Sequence, residues 1–286
     1  MRMFHSSKLK TERARSHIDA LATEVSNFSL SSPCHLVIDD DSDPEFKVFK
    51  LKRTSPIPGN SFLIGGDAVH KRRSALDHLA YELVKIESSK PRKKSQEHLL
   101  EDVQFPIAAD STRINHAIKT NQIDKAGKLV ENSLRALRPY RGGNDGLCAL
   151  HDLDRIDKHR LIIPVIEVTA TPYVSTYIDY GSDGGTVTIL IPADEPIEFD
   201  TPIECDKATS RIPSNSFVAR GSFPRISIDV GLPIDPFKGV RVVDWLREMA
   251  NYLDGVIAAF EALLGGKAFK PPDPIIPISK TGLIVR

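Results

Sequence analysis

The most polar stretch in an otherwise apolar helical pattern is GGDAVHKRRSALDHLAYE, residues 65–82. A helix turns by roughly 100 degrees per residue, so side chains three, four or seven positions apart share a face. His70, Arg73 and Asp77 therefore lie on one side of this predicted helix, with His78 close beside them. Buried and unpaired, such a stripe would be unfavourable, so it must face water, another polar helix or a site. Its acids and histidines predict either a catalytic centre or a buried polar clasp.

A second polar stretch, HDLDRIDKHR at residues 151–160, supplies matching charges on another predicted helix. Asp77 could pair there with Arg155 or Lys158, and His78 could pair with Asp154 or Asp157. In this interpretation the protein is a noncatalytic binding or structural protein, and the two stretches fix the register of two packed helices.

Arg73 and His78, in the hexapeptide RSALDH, are separated by four residues. That spacing resembles the Arg-x4-6-His motif of the HEPN superfamily, helical-bundle nucleases and nucleic-acid-linked modules of bacterial or phage defence and stress systems. The resemblance covers this one helix and the expected bundle. It implies metal-independent endoribonuclease activity, in which a 2′-hydroxyl attacks the adjacent phosphate.

The same resemblance assigns roles to the two residues. His78 would act as general acid or base, and Arg73 would hold the phosphate and neutralise the charge that grows in the transition state. Residues five apart diverge on one helix, and the resemblance implies a homodimer that brings two copies of the motif together. Supporting positions would be His70, Asp77, Tyr81, Asp157 and His159.

A divalent-metal hydrolase is the third interpretation, because two facing bundle helices can supply nitrogen and oxygen ligands. The candidate ligands are His70, Asp77, His151 and Asp154. Neither helix contains HExxH or ExxH spacing. The nuclease interpretation needs no cofactor, whereas this one needs a divalent metal.

The amino-acid composition limits the partners and the cellular compartment that we expect, but it does not choose among these three interpretations. Lysine plus arginine and aspartate plus glutamate each number 38, so RNA binding would need a local basic patch rather than a global field. The three cysteines lack CxxC spacing, which argues against a disulfide framework or a zinc knuckle. No apolar run reaches the roughly 20 residues that cross a bilayer, so we expect a cytoplasmic protein without a membrane partner.

Hydrophobic periodicity and turn residues predict the elements that position these side chains. Strong helical periodicity occurs at 61–87 and 240–264, whereas β-branched runs broken by Gly and Pro occupy 161–232. We therefore predict an α+β protein, a helical bundle with an inserted antiparallel β-sheet region. The predicted parts are a bundle of residues 1–160 with 240–264, an N-terminal hairpin at about 33–54, the β insertion at 161–232 and an extended tail at 265–286.

Overall fold

The structure is a computed structural model of the 286-residue chain. It describes residues 3–39, 46–88, 100, 102–160, 162, 165–171, 173–176, 189–192, 209–213, 225–238 and 240–275. For Ser88 and for the strand residues up to 230, only the backbone is described.

Six α-helices and one short 3₁₀ helix make up the described helical body. They are α1 (His5–Leu30), α2 (Gly59–Ser88), α3 (Ile114–Thr120), the 3₁₀ helix Ile123–Ala126, α4 (Lys128–Ala136), α5 (Asp145–Asp157) and α6 (Val242–Leu264). Helix α1 packs along α2, α6 contacts both of them, and α5 contacts α2. The body is therefore a helical bundle, as the sequence predicted.

The apolar stripe that the sequence indicates on α2 is its buried face. Ala68, Ala75, Leu76 and Leu79 are each at most 1% exposed. They follow one another at intervals of seven, one and three residues, which keep them on one face of the helix, so one side of α2 is covered by its neighbours. Arg72, whose stem the same stripe includes, is fully buried there.

Helix α6 contributes the largest apolar face to the core. Trp245, Leu246, Met249, Leu253 and Phe260 are all buried, at spacings of one, three, four and seven residues. Burying a side chain of this size contributes roughly 1.5–3 kcal/mol relative to exposing it. Trp245, the one tryptophan of the chain, is therefore part of the core.

Seven short strands are described in the backbone. They are β1 (Cys34–Asp39), β2 (Phe46–Arg53), β3 (Val165–Thr171), β4 (Tyr173–Thr176), β5 (Ile189–Pro192), β6 (Thr209–Pro213) and β7 (Arg225–Gly231). All the pairings are antiparallel: β1 with β2, β2 with β6, β3 with β7, and β4 with β5.

The predicted α+β class, with one antiparallel sheet inserted at 161–232, is wrong. The described part of the chain is predominantly helical and has no sheet of that kind. The β3–β7 and β4–β5 pairings have two strands each, while β6 pairs outside the segment. A two-stranded ladder by itself is only marginally stable. A composition rich in β-branched residues indicates that a segment favours strands, but it does not say which surface those strands pack against. Much of 161–232 also lies outside the described residues.

Both ends of the segment between α5 and α6 reach one small cavity of about 30 Å³. Ile162 and Leu232 line this cavity together with Leu153 and Val242. The chain therefore leaves the bundle and returns to it at one place.

Residues 265–275 of the predicted tail follow α6 without regular structure and lie against the helices. The Phe269 ring is 4.8 Å from the Phe260 ring, centroid to centroid. The rest of the predicted tail, residues 276–286, lies outside the described part. Among the described helices, none combines the length and apolarity that crossing a membrane requires.

Candidate functional site

The buried guanidinium of Arg73 joins α2 to the extended segment at Phe105. Arg73 Nη1 donates to Asp77 Oδ1 over 2.6 Å, and Nη2 donates to the carbonyl oxygen of Phe105 over 3.0 Å. The backbone N–H of Phe105 donates in turn to Asp77 Oδ1 over 2.9 Å. These three groups close a ring of hydrogen bonds, which we call the Arg73 clasp.

Because Arg73 is buried, the hydrogen bonds of the Arg73 clasp are strong and costly to lose. The Arg73 side chain is 5% exposed, whereas that of Asp77 is 31% exposed. A charged hydrogen bond in such surroundings is stronger than one at the surface, and losing one partner leaves the other desolvated and unpaired. Asp77 therefore pairs with Arg73 on its own helix and not with Arg155 or Lys158, the partners that the sequence suggested.

A second ionic contact, the α2–α5 junction, joins α2 to α5 through the buried carboxylate of Asp154. His70 Nδ1 lies 2.9 Å from Asp154 Oδ1, and Lys158 Nζ lies 2.6 Å from Asp154 Oδ2. Asp154 is 3% exposed at its side chain, so each oxygen has a partner where water is excluded. This contact joins the two helices through His70, not through His78, the histidine that the sequence suggested for Asp154.

Asp157 stands beside this junction, against Gly66 of α2. A Cβ atom added at Gly66 would lie 2.7 Å from Asp157 Cγ and 2.9 Å from Oδ2, closer than real contacts allow. Burial raises the pKa of the Asp157 carboxyl, and the charges of Asp154 and Asp67 raise it further. The absence of a side chain at Gly66 thus leaves space for the Asp157 carboxyl. The ionised form of this carboxyl is destabilised by burial and by the charges of Asp154 and Asp67.

His78 faces a different neighbour from Arg73. The charged groups that act on its imidazole are Lys10 of α1, and Glu82 and Asp77 of α2. Burial is the largest cause that lowers the pKa of His78, and Lys10 lowers it further. His78 is partly exposed and carries a neutral ring at neutral pH, while Arg73 lies buried against Phe105.

The remaining predicted positions are dispersed over the surface of α2 and α5. Tyr81 is 36% exposed, and the ammonium of Lys85 lies 5.7 Å from the centroid of its ring. His159 is exposed in the turn that follows α5. Neither residue is in a recorded contact with the Arg73 clasp.

The candidate metal ligands do not converge among the residues that the structure describes. His70 and Asp154 are in contact, but Asp77 is engaged by Arg73. Burial lowers the pKa of His151, with Arg73 as the next cause, and the buried His151 Nδ1 has no described hydrogen-bond partner. Within the described ranges no group of three His, Cys, Asp or Glu side chains could hold a metal ion.

Two of the residues in these contacts, Phe105 and Gly66, could not be identified from the sequence. The carbonyl and N–H of Phe105 are backbone groups, which every residue type except proline carries alike. Gly66 was one of two adjacent glycines, and only the position of α5 shows which of them faces a carboxylate. Asn144, by contrast, is of a residue type that commonly caps helices, and its side chain accepts a hydrogen bond from the N–H of Leu147 at 3.2 Å at the start of α5.

Comparison of the chain with protein-family models, with curated proteins and with solved structures finds no match. The resemblance of RSALDH to the HEPN motif therefore stays a prediction from the sequence.

Proposed function

We propose that the protein is a noncatalytic binding or structural protein, whose polar stretch on α2 holds the bundle together. The observation that carries this proposal is the state of Arg73. Its guanidinium is buried and donates to both Asp77 and the Phe105 carbonyl. An arginine that binds a substrate phosphate must present free donors to a cleft, whereas this one uses its donors to anchor a loop.

The α2–α5 junction supports the same proposal from the other end of the stretch. Asp154 accepts from His70 on α2 and from Lys158 on its own helix. Contacts to a buried carboxylate fix the register of packed helices more than they add stability. Together, the two sets of contacts fix α2 against α5 and against the segment at Phe105.

The test is a double-mutant cycle across the Arg73 clasp. We expect Arg73→Met and Asp77→Ala each to lower the free energy of unfolding by about 2–3 kcal/mol, because Met leaves the Phe105 carbonyl without its donor and Ala leaves the buried guanidinium without its carboxylate. The double variant should lose less than the sum of the two, since the partners are in contact. Urea denaturation followed by circular dichroism measures all three.

Arg155→Met is the matched control, because Arg155 is 68% exposed and lies 3.5 Å from Asp152. It should change the free energy of unfolding by no more than about 0.5 kcal/mol. Additive losses at Arg73 and Asp77, or losses no larger than the control, would refute the clasp.

A HEPN-like, RNA-directed module is the second candidate, and what favours it is His78. This imidazole is partly exposed, and its lowered pKa leaves it neutral and able to accept a proton. In this candidate the partners are RNA and a second copy of the chain, whose motif completes the site.

Cleavage of a labelled mixed RNA pool distinguishes the candidates. Activity that survives EDTA and is lost in folded His78→Ala, but kept in His159→Ala, supports the nuclease. EDTA-sensitive cleavage points to the metal-dependent hydrolase. The absence of cleavage at every protein concentration, including those at which the chain self-associates, leaves the noncatalytic proposal standing.

A further inference from the structure

Arg72 is a fully buried cation that no described residue neutralises through a hydrogen bond. It is 0% exposed, on the same face of α2 as Ala68, Ala75 and Leu76. Its Nε, Nη1 and Nη2 atoms all lack a hydrogen-bond partner within the described part of the chain. Nearly all buried polar groups in proteins are paired, so three unpaired donors on one side chain need an explanation.

The side chain keeps its charge despite this burial. Burial lowers the pKa of Arg72 to about 10, which still lies far above neutrality. A buried and unpaired charge is costly, and methionine or leucine would pack at such a position without that penalty. An arginine here is explained best by something that it binds.

Two charged side chains of neighbouring helices act on Arg72. Arg15 of α1 and Asp254 of α6 form an ion pair, and both act electrostatically on Arg72. Their side chains are 39% and 45% exposed, so this pair is accessible to solvent, whereas Arg72 is fully buried. The single carboxylate is occupied by Arg15, which leaves the group with one excess positive charge.

A second ion pair between α1 and α6 has no such excess of positive charge. Lys8 Nζ lies 2.5 Å from Glu261 Oε1, one cation to one carboxylate. Arg15 lies seven residues after Lys8 on α1, and Asp254 lies seven residues before Glu261 on α6. These two side chains form an ion pair, and both act electrostatically on the additional guanidinium of Arg72. The excess charge is therefore specific to the Arg72 level of the bundle.

We propose that Arg72 and Arg15 form a binding site for a small oxyanion, a carboxylate or a phosphate, between α1, α2 and α6. The planar guanidinium donates two parallel hydrogen bonds to two oxygens of either group. The anion reaches Arg72 by taking the place of Asp254 on Arg15, so Asp254 competes with it. The site is separate from the Arg73 clasp, because consecutive residues of a helix point about 100 degrees apart.

The test measures the melting temperature of the full-length protein at constant ionic strength, with chloride replaced by inorganic phosphate in one series and by acetate in another. We expect a saturable rise of at least about 5 °C at high excess in one of the series or in both. The series that shows the rise identifies the chemical class. Arg72→Met should abolish the rise, and Arg141→Met, a surface control, should keep it.

Asp254→Asn keeps the proposal falsifiable if Arg72→Met does not fold. This change removes the competing carboxylate, so half-saturation should occur at an anion concentration about tenfold lower. The proposal is overturned if neither anion raises the melting temperature, if Arg72→Met responds as the wild type does, or if Asp254→Asn leaves half-saturation unchanged. None of these results depends on the Arg73 clasp, whose variants are scored by unfolding in chloride alone.

Discussion

At the scale of single residues, Arg72 makes the cost of an unpaired buried charge measurable. In chloride buffer without phosphate or carboxylate, we expect Arg72→Met to raise the free energy of unfolding by about 2 kcal/mol. Methionine keeps the length and packing of the stem and removes the charge. Urea denaturation at pH 7 checks this.

A fall in stability of similar size would contradict that prediction, since it would mean that the guanidinium has a stabilising partner. Arg155→Met, on the exposed side of α5, is the matched control and should change little.

Asp157 predicts a dependence of stability on pH with a definite sign. Because the folded-state pKa of this carboxyl is raised, the stability that it contributes is present below its ordinary pKa and is lost as the pH rises through the raised value. At pH 7 the ionised group is therefore unfavourable, and Asp157→Asn should add about 0.5 kcal/mol, a figure discounted for solvent screening.

Denaturation of both proteins between pH 3 and pH 8 measures the effect, and the advantage of Asp157→Asn should vanish below about pH 4. Asp152→Asn is the control of opposite sign, because Asp152 pairs with Arg141 and Arg155. A benefit from Asp157→Asn that does not depend on pH would show that charge is not its cause.

At the scale of elements, the approach of α2 to α5 depends on Gly66. We expect Gly66→Ala to lower the free energy of unfolding by about 0.5–1 kcal/mol, because the added Cβ forces the carboxylate of Asp157 to rotate away. Thermal or urea denaturation measures it. Gly65→Ala is the control from the same turn: its Cβ meets only Leu21 at 3.9 Å, so helix propensity should give a gain of up to about 1 kcal/mol.

The cause of the Gly66 effect can be isolated by combining it with Asp157→Ala. If the carboxylate is the obstacle, Gly66→Ala should be neutral or stabilising in that background. An unchanged loss would place the clash elsewhere.

The elements also show what the sequence could and could not predict. Helices near 61–87 and 240–264 followed from periodicity, because one face of each is covered by neighbours. On α1 apolar character does not report burial at every position, since Leu9 is 50% exposed while Ser7 and Thr11 are buried. Their hydroxyls donate to the Ala75 and Lys8 carbonyls, so these polar residues fit a buried face that apolar periodicity does not detect.

The candidate site was predictable to the same limited degree. Arg73 with Asp77 is a contact along one helix, which four-residue spacing specifies. The partner of Asp154 depends instead on how two helices pack, and spacing cannot choose between His70 and His78. The β-branched composition of 161–232 likewise does not say which strand meets which.

At the scale of the whole molecule, the segment between α5 and α6 should be removable. Val165 and Gly231 are antiparallel partners, and Ile162 and Leu232 line one cavity, so the chain ends left by an excision are adjacent. We expect replacement of residues 166–230 by Asn-Gly, a two-residue hairpin turn, to keep the helical circular dichroism signal and cooperative unfolding.

A second variant with a longer Gly-Ser linker controls for strain in the turn. If both variants lose cooperative unfolding, the excised segment is required for the helical bundle to fold.

The packing of α6 against both α1 and α2 has a consequence for synthesis on the ribosome. Helix α1 is synthesised before α6, so the carboxylates that pair with Arg15 and Lys8 arrive only with Val242–Leu264. The nascent chain must therefore carry α1 and α2 with one apolar side uncovered until α6 has been synthesised. Such an intermediate is where a chaperone would act and where a stalled or truncated chain would aggregate.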